Sequence, residues 1–390
     1  MRPWGADDMQ ERRLRFGIIG GGITSFIGDV HIKAAQLDGL AELVAGCFSR
    51  DPAANRRSAE KYHLAEERTY GNYKQMAEVE CGRRDGIDFV IVATPNQTHA
   101  EIAKTFLLAD IPVVCEKPIA ICIEDAVELR NLVNERNHPF CVTYTNTGFP
   151  MVKQARAMVQ GGELGRILSV HGEYLQDHMI CPPDSRPGGW RADPAIAGAG
   201  GAVSDIGVHV ENLVAYITGL KIDSLCANLE TIRPDLVLDT SAQILIRYDS
   251  GASGYYCCSQ VSAGYRNDLM LRIVGEKASL EWSVMDPDSL VVRKKGNPVC
   301  IYKAGQDYLD FTALKETRIS SGHLEGFYEA MANIYRNFET RLLYERKSGH
   351  IDGTRADYPD AGSGVEGVRF IERCVESSKQ GASWVKWNAI

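Results

Sequence analysis

The stretch Arg15-Phe16-Gly17-Ile18-Ile19-Gly20-Gly21-Gly22 runs from an apolar segment into three glycines, and the chain resumes as Ile23-Thr24-Ser25-Phe26-Ile27-Gly28-Asp29-Val30-His31. An apolar strand that ends in glycines and leads into a helix opens a dinucleotide-binding unit, because backbone without side chains can approach a pyrophosphate at the helix N-terminus. Gly20 and Gly22 fit the first two positions of G-x-G-x-x-G, and Ile23 follows them in the loop. Ser25 takes the third position, where a small residue is compatible with close packing of helix on strand. A Gly-Gly-Gly run is also the composition of a plain turn, so the reading depends on the rest of the chain.

The 390 residues exceed the size, about 250 to 300, at which single cores stop growing, which predicts two domains. A formal charge of -8 without a long basic run argues against nucleic acid as the main ligand. No stretch approaches the roughly 20 apolar residues needed to cross a bilayer. The first dozen residues mix Arg2, Arg12 and Arg13 with Asp7, Asp8 and Glu11 and lack an apolar segment. Residues 1–14 are therefore expected to be a disordered leader, not a signal peptide, and the protein to be cytoplasmic. The 11 cysteines contain no C-x-x-C pair and read as reduced, mostly buried thiols.

Beyond the glycines, a helix through Ala34-Ala35 is followed by a strand from Glu42 to Phe48 that ends at Ser49-Arg50-Asp51-Pro52. An acidic residue at this strand end takes the adenosine ribose hydroxyls of NAD, whereas a small polar residue beside an arginine leaves room for a 2′-phosphate. Ser49 and Arg50 thus lean toward NADP, since Asp51 before Pro52 reads as the N-cap of a helix through Ala59. Further apolar strands, Asp88 to Ala93, Ile111 to Cys115 and Phe140 to Thr145, alternate with helices near Ala100 and from Glu124 to Glu135. Continuous apolar strands alternating with helices predict a parallel sheet covered on both faces, with ligands at the strands' carboxyl ends. Gly22, Ser49, Asn96 and Lys117 fall at such ends.

After residue 147 the pattern changes. A helix from Val152 to Val159 and a strand through Ser169 to Tyr174 precede a Gly- and Pro-rich loop from Cys181 to Gly201. Ala242 to Val261 turns at Asp249-Ser250-Gly251 and Leu269 to Trp282 at Gly275-Glu276-Lys277, two antiparallel hairpins. Short strands at Val291-Val292 and Val299 to Tyr302 and a helix from Leu324 to Phe338 complete the expectation. The fold class is α/β, with a dinucleotide-binding domain over 15–147 and a second α/β domain over 148–390 built on an open, largely antiparallel mixed sheet. The broad face of such a sheet predicts a homodimer or homotetramer.

Gly198-Ala199-Gly200-Gly201 leads into Asp205-Ile206-Gly207-Val208-His209, and on a helix Asp205 and His209 lie four apart on one face. A carboxylate beside an imidazole suits a general acid or base near neutral pH, and an N-capping Asp with a satisfied core His is the structural alternative. Lys117, at a strand end before Pro118, can polarise a substrate hydroxyl, with Glu116 anchoring the turn. Tyr144, Asn146 and Tyr174 near strand ends, and Trp190-Arg191 ahead of the Asp205 segment, are candidate substrate contacts, as is His323 more weakly. His171, Asp177 and His178 fit no recognised ligand spacing, and no metal is expected.

The chain resembles the Gfo/Idh/MocA family of sugar and cyclitol oxidoreductases in its opening glycine loop, in Thr94-Pro95-Asn96 with His99, in Glu116-Lys117-Pro118 and in Asp205-Ile206-Gly207-Val208-His209. The resemblance implies a Rossmann domain followed by an α/β domain, with nicotinamide and substrate meeting between them. It places Thr94, Pro95, Asn96, His99, Glu116 and Lys117 at the cofactor, and surrounds the reacting hydroxyl with Lys117, Asp205 and His209. Carried over, His209 is the acid/base, Asp205 orients it and Lys117 polarises the substrate oxygen. An NAD-dependent glycoside hydrolase and a non-catalytic sugar sensor are the alternatives. Cofactor that copurifies unconsumed marks the first, and ligand binding indifferent to the loss of Lys117 the second.

Overall fold

The computed structural model describes residues 12–180, 189–232, 236–349 and 357–388, which divide into two compact units. In chain order the first unit contains β1 (Leu14–Gly20), α1 (Phe26–Gln36), β2 (Ala41–Cys47), α2 (Pro52–Lys61), α3 (Tyr73–Gly82), β3 (Phe89–Ala93), α4 (His99–Leu108), β4 (Val113–Cys115), α5 (Ile123–Arg136) and β5 (Phe140–Val142). The strands pair in parallel in the order β2-β1-β3-β4-β5. β3, β4 and β5 are buried along their whole length, which is why each reads as an unbroken apolar run.

The expected leader over 1–14 needs correction at its end. Leu14 is the first residue of β1, and Arg12 holds Asp88 through two hydrogen bonds of 2.7 and 2.9 Å, tying the entry of β1 to that of β3. Residues 1–11 lie outside the described residues. Helix α3, absent from the sequence reading, buries Met76 and Ala77 together with a charged residue, Glu80, whose carboxylate accepts from Arg68 and Tyr70 at 2.6 Å each. A buried glutamate at an inward position breaks the apolar periodicity by which a helix is recognised.

The second unit begins with α6 (Pro150–Gln160) and continues through β6 (Ile167–Leu175), α7 (Pro194–Ala197), α8 (Val208–Thr218), β7 (Ile222–Glu230), β8 (Ser241–Tyr248), β9 (Ser253–Ser259), β10 (Asp268–Gly275), β11 (Ala278–Ser283), β12 (Asp286–Lys294), β13 (Cys300–Lys303) and α9 (Phe311–Leu314). Both hairpins form, β8 with β9 and β10 with β11. Helices α6 and α8 pack on one face of the sheet. The strands alternate accordingly: Ile244, Ile246 and Tyr256 point inward, and Leu245 and Tyr255 outward.

Helix α10 (Phe327–Ser348) then returns to the first unit, so the expected domain over 148–390 is interrupted by Phe327–Gly364. Met331, Ile334, Tyr335, Phe338 and Leu342 form an apolar stripe that joins the core of Phe16, Ile18 and Phe89, with the Phe338 and Phe89 rings 5.4 Å apart. A stripe at helical spacing states that a helix is amphipathic, not which sheet it covers. The chain ends in α11 (Ala361–Lys379) and β14 (Val385–Lys386). β14 pairs with β7 to complete a sheet in the order β13-β12-β11-β10-β6-β9-β8-β7-β14, mixed because β6 and β9 run parallel.

Gly28, in the first turn of α1, carries the close approach that the motif assigned to Ser25. A Cβ added there would lie 2.1 Å from the Cα of Gly21, while Ser25 caps the helix by accepting the Gly28 N–H at 3.1 Å. In an ordinary helix Gly→Ala gains about 1 kcal/mol. Here the backbone of the glycine loop blocks the methyl group, and Gly28→Ala is expected to lose about 1–3 kcal/mol in urea unfolding. A stabilised variant would show that the loop yields instead.

Candidate active site

The glycine loop is shaped by its neighbours. Gly20 and Gly21 have positive φ, and a Cβ on Gly20 would lie 2.3 Å from the Ala93 carbonyl oxygen. The Ile23 N–H donates to Ser58 Oγ at 3.0 Å, and that hydroxyl donates to the Ala54 carbonyl at 2.8 Å, so the loop leans on α2. Bare backbone ahead of a capped helix N-terminus is a cradle that a pyrophosphate fits. At the end of β2, Asn55 Oδ1 accepts from the N–H groups of Phe48 and Ser49 at 2.8 and 3.3 Å. Asp51 spends both carboxylate oxygens on Ala53 and Ala54 as the cap of α2, leaving Ser49 and the exposed Arg50 at the strand end.

The ends of β3 and β4 are clasped by one side chain. His99, 1 % exposed, places Nδ1 2.7 Å from the Pro118 carbonyl and Nε2 2.7 Å from the Thr94 carbonyl. Burial lowers its proton affinity while the two carbonyls raise it. Both ring nitrogens face backbone, so His99 shapes the Thr94-Pro95-Asn96 turn against the Lys117-Pro118 segment, whose peptide is cis. Glu116 Oε1 accepts from Thr143 Oγ1 at 2.5 Å and lies 3.0 Å from His31 Nε2, and Oε2 accepts the Lys117 N–H at 3.2 Å. Burial alone would raise this carboxyl; the bond and charge of His31, the charge of Lys117 and the Thr143 bond prevail and hold it at about 2.

In the second unit, Asp239 organises the glycine-rich approach. Its carboxylate accepts the N–H groups of Gly201 and Val203 at 2.6 and 2.9 Å, although burial still leaves its pKa above the ordinary range. Asp205 follows in a π-helical turn, Val203–Gly207, and His209 lies on α8, so the expected single α-helical face is replaced by a wider turn. The Asp205 carboxylate accepts from Gln260 Nε2 at 2.9 Å and lies 3.7 Å from Arg191 Nε. Gln260 also donates to Gln176 Oε1 at 3.4 Å, and two acceptor neighbours fix which way its amide points.

Arg191 stacks on Trp190 at 4.4 Å and, with His178, Asp205, Asp239 and Gln260, lines a small cavity. The Tyr174 ring lies 6.1 Å from that of His209, and burial followed by the Asp205 charge pushes the phenol far above its usual range. The structure thus brings together Tyr174, Arg191, Asp205 and His209 within the second unit. Tyr144, a candidate substrate contact, is 1 % exposed and Asn146 is also buried, both in the first unit. His323 lies in the loop before α10, bonded to Ser320. Among the described residues no cluster of three metal-ligating side chains occurs. Gln260, Asp239 and His31 were not singled out from the sequence, because their partners lie far away along the chain.

Residues 14–144 match the oxidoreductase family with an NAD-binding Rossmann fold, and residues 152–281 match the GFO/IDH/MocA C-terminal domain. The uncharacterized oxidoreductase YfiI of Bacillus subtilis is 35% identical over 96% of this chain and 97% of its own. A crystal structure of an inositol dehydrogenase homolog complexed with NAD+ from Azotobacter vinelandii superposes with a TM-score of 0.92 at 36% identity, covering 96% of this chain and 97% of that one. The structure of an inositol dehydrogenase homolog from the same organism complexed with NADH and myo-inositol gives 0.89 at 35% identity, covering 96% and 98%.

Helix α8, which carries His209, also holds a buried acid. Burial, then the neighbouring Glu366 charge, pushes Glu211 from 4.5 up to about 8 against the opposing charge of Lys221. Between those values the folded chain keeps a proton that the unfolded chain has released, so this group's contribution to stability falls as pH rises through the window. Glu211→Gln is expected to remove that decline, narrowing the Tm difference between pH 5 and pH 8 by about 5 °C. An unchanged difference would show that Glu211 ionises freely in the fold.

Proposed function

Because this chain belongs to the Gfo/Idh/MocA family of oxidoreductases, we propose that it interconverts a secondary alcohol and a carbonyl on a sugar, sugar derivative or cyclitol, using a nicotinamide dinucleotide. The observation that carries this reading is the anchored Glu116-Lys117-Pro118 turn, met in a chain that keeps Asp205 and His209 and that closely resembles a homolog holding NADH and myo-inositol. When bound, a nicotinamide dinucleotide would supply the hydride acceptor for oxidation of the carbinol carbon and the hydride donor for the reverse reduction.

The chain's own residues handle the proton and the orientation. Lys117 donates a hydrogen bond to the substrate oxygen and stabilises the charge that grows there as the C–H bond breaks. His209 takes the hydroxyl proton and gives it back in reduction, and Asp205, held by Gln260, orients the proton-transfer group. Arg191 and Tyr174 offer donors to further hydroxyls, and the Trp190 plane supports Arg191. Gly20, Gly22 and Ile23 would hold the pyrophosphate, and Thr94, Pro95 and Asn96 other parts of the cofactor, with His99 shaping their turn. Ser49 and Arg50 suit a 2′-phosphate, since Asp51 is spent on capping, and NADP is the proposed preference even though the Azotobacter structures hold NAD+ and NADH.

A second copy of the chain is the proposed partner for the outer face of the nine-stranded sheet, where Leu245 and Tyr255 are paired neighbours, 47 and 41 % exposed. No helix among the described residues is long and apolar enough to cross a membrane, and a cytoplasmic location is proposed.

Absorbance of reduced nicotinamide, followed while aldoses, anhydrosugars and inositols are offered with NAD or NADP, tests the reading directly; bound cofactor without turnover on any of them would overturn it. Lys117→Met is expected to lower kcat by about 100-fold or more with cofactor affinity near wild type. Ser49→Asp is expected to weaken NADPH by roughly tenfold and NADH little, through repulsion of the 2′-phosphate. Equal effects on both cofactors would remove Ser49 from that role.

A further inference from the structure

The residue before Lys117 is held by side chains that the chemistry above does not use. His31 sits in α1 with its ring fully buried. Nδ1 lies 2.6 Å from the Tyr335 hydroxyl and Nε2 lies 3.0 Å from Glu116 Oε1. The His31 and Tyr335 rings meet edge-on at 5.9 Å. Ionised Glu116 can only accept, so Nε2 carries a hydrogen and donates to it, and the Tyr335 hydroxyl, able to donate or accept, holds Nδ1. The chain of bonds runs from Tyr335 through His31 to Glu116, and the far oxygen of Glu116 receives the backbone N–H of Lys117.

We propose that Tyr335, His31 and Glu116 form a positioning relay that fixes the Lys117 turn, so that His31 and Tyr335 govern turnover without touching the substrate. The relay rests on the oxidoreductase reading given above. Its parts come from α1, the end of β4 and α10, and α10 is seated independently by Met331, Ile334 and Phe338 in the core. A buried carboxylate stripped of its donors takes up a proton, and a protonated Glu116 can no longer accept from Thr143, His31 and Lys117 together.

The titratable groups facing Glu116 are His31 from α1, Lys117 and Cys115 beside it, His99 from α4, Cys141 from β5 and Tyr335 from α10. Burial pushes both thiols and the phenol up, so they stay neutral across the working range. The charge of Glu116 therefore depends chiefly on His31 and Lys117.

The test compares full-length wild type with His31→Leu, His31→Gln and Tyr335→Phe. In wild type, Glu116 lies below its unfolded value, so its contribution to stability is present above about pH 4.5 and lost as pH falls toward 2. In His31→Leu the carboxyl moves up, and the Tm deficit relative to wild type is expected to widen from pH 5 to pH 8 and to close when Glu116→Gln is added. His31→Leu is expected to lower kcat about tenfold or more and to move the acid limb of its pH profile upward. His31→Gln, whose amide can donate from the place of Nε2, recovers most of both, and Tyr335→Phe gives a smaller effect in the same direction.

A Tm deficit equal at every pH, with wild-type kcat and an unmoved acid limb, would reduce His31 to packing and overturn the relay. Wild type inactive with every sugar and cofactor is a different failure, that of the functional reading, and the pH-dependent Tm deficit is read without turnover.

Discussion

A buried carboxylate has to be surrounded by donors, and around Glu116 that requirement ties together parts of the chain that share nothing in sequence. Thr143 at the end of β5, His31 in the middle of α1 and the Lys117 backbone converge on its two oxygens. Left unpaired, such a charge would cost several kcal/mol, so the arrangement is kept or the group is neutralised. Because His31 follows the glycine loop in α1, the loop that suits a pyrophosphate and the turn that presents Lys117 are parts of one packed arrangement.

The second unit uses the same device with different residues. Asp239 accepts the N–H groups at the mouth of the π-helical turn, and Gln260 fixes the carboxylate of Asp205 that the turn presents. Both partners sit beyond strand ends of the large sheet, so the hairpin register that aligns the strands also aligns the polar groups at their ends. Gly201 is held so close to the Asp239 carbonyl that a Cβ would come within 2.1 Å of its oxygen. The small residues of that approach make room for backbone.

Much of this was legible from residue order. The parallel strands announced themselves as apolar runs, Asp51 before Pro52 as a cap, and the hairpins by their glycine turns, because each signal is local and has one physical cause. Helix α3 escaped because Glu80 occupies an inward position. The glycine fingerprint put Ser25 in a packing role that Gly28 fills, three residues on, since a spacing rule records where side chains must be absent in a typical loop and not where this loop touches its helix. Asp205 and His209 were found by motif, but their α-helical spacing was assumed and a π turn replaced it.

By itself the sequence determined two units, the class of each sheet, the glycine loop between β1 and α1 and the short motifs proposed to carry the chemistry, all of which depend on neighbours within a few turns or one hairpin. Tertiary structure decided that α10 covers the first sheet, that Tyr335 reaches His31 across 304 positions, and that Gln260 meets Asp205. Hydrophobic periodicity specifies that a face must be buried and is silent about its partner. A buried polar group likewise demands a partner without naming it, and the choice is made when the cores close and only one arrangement leaves these donors and acceptors satisfied.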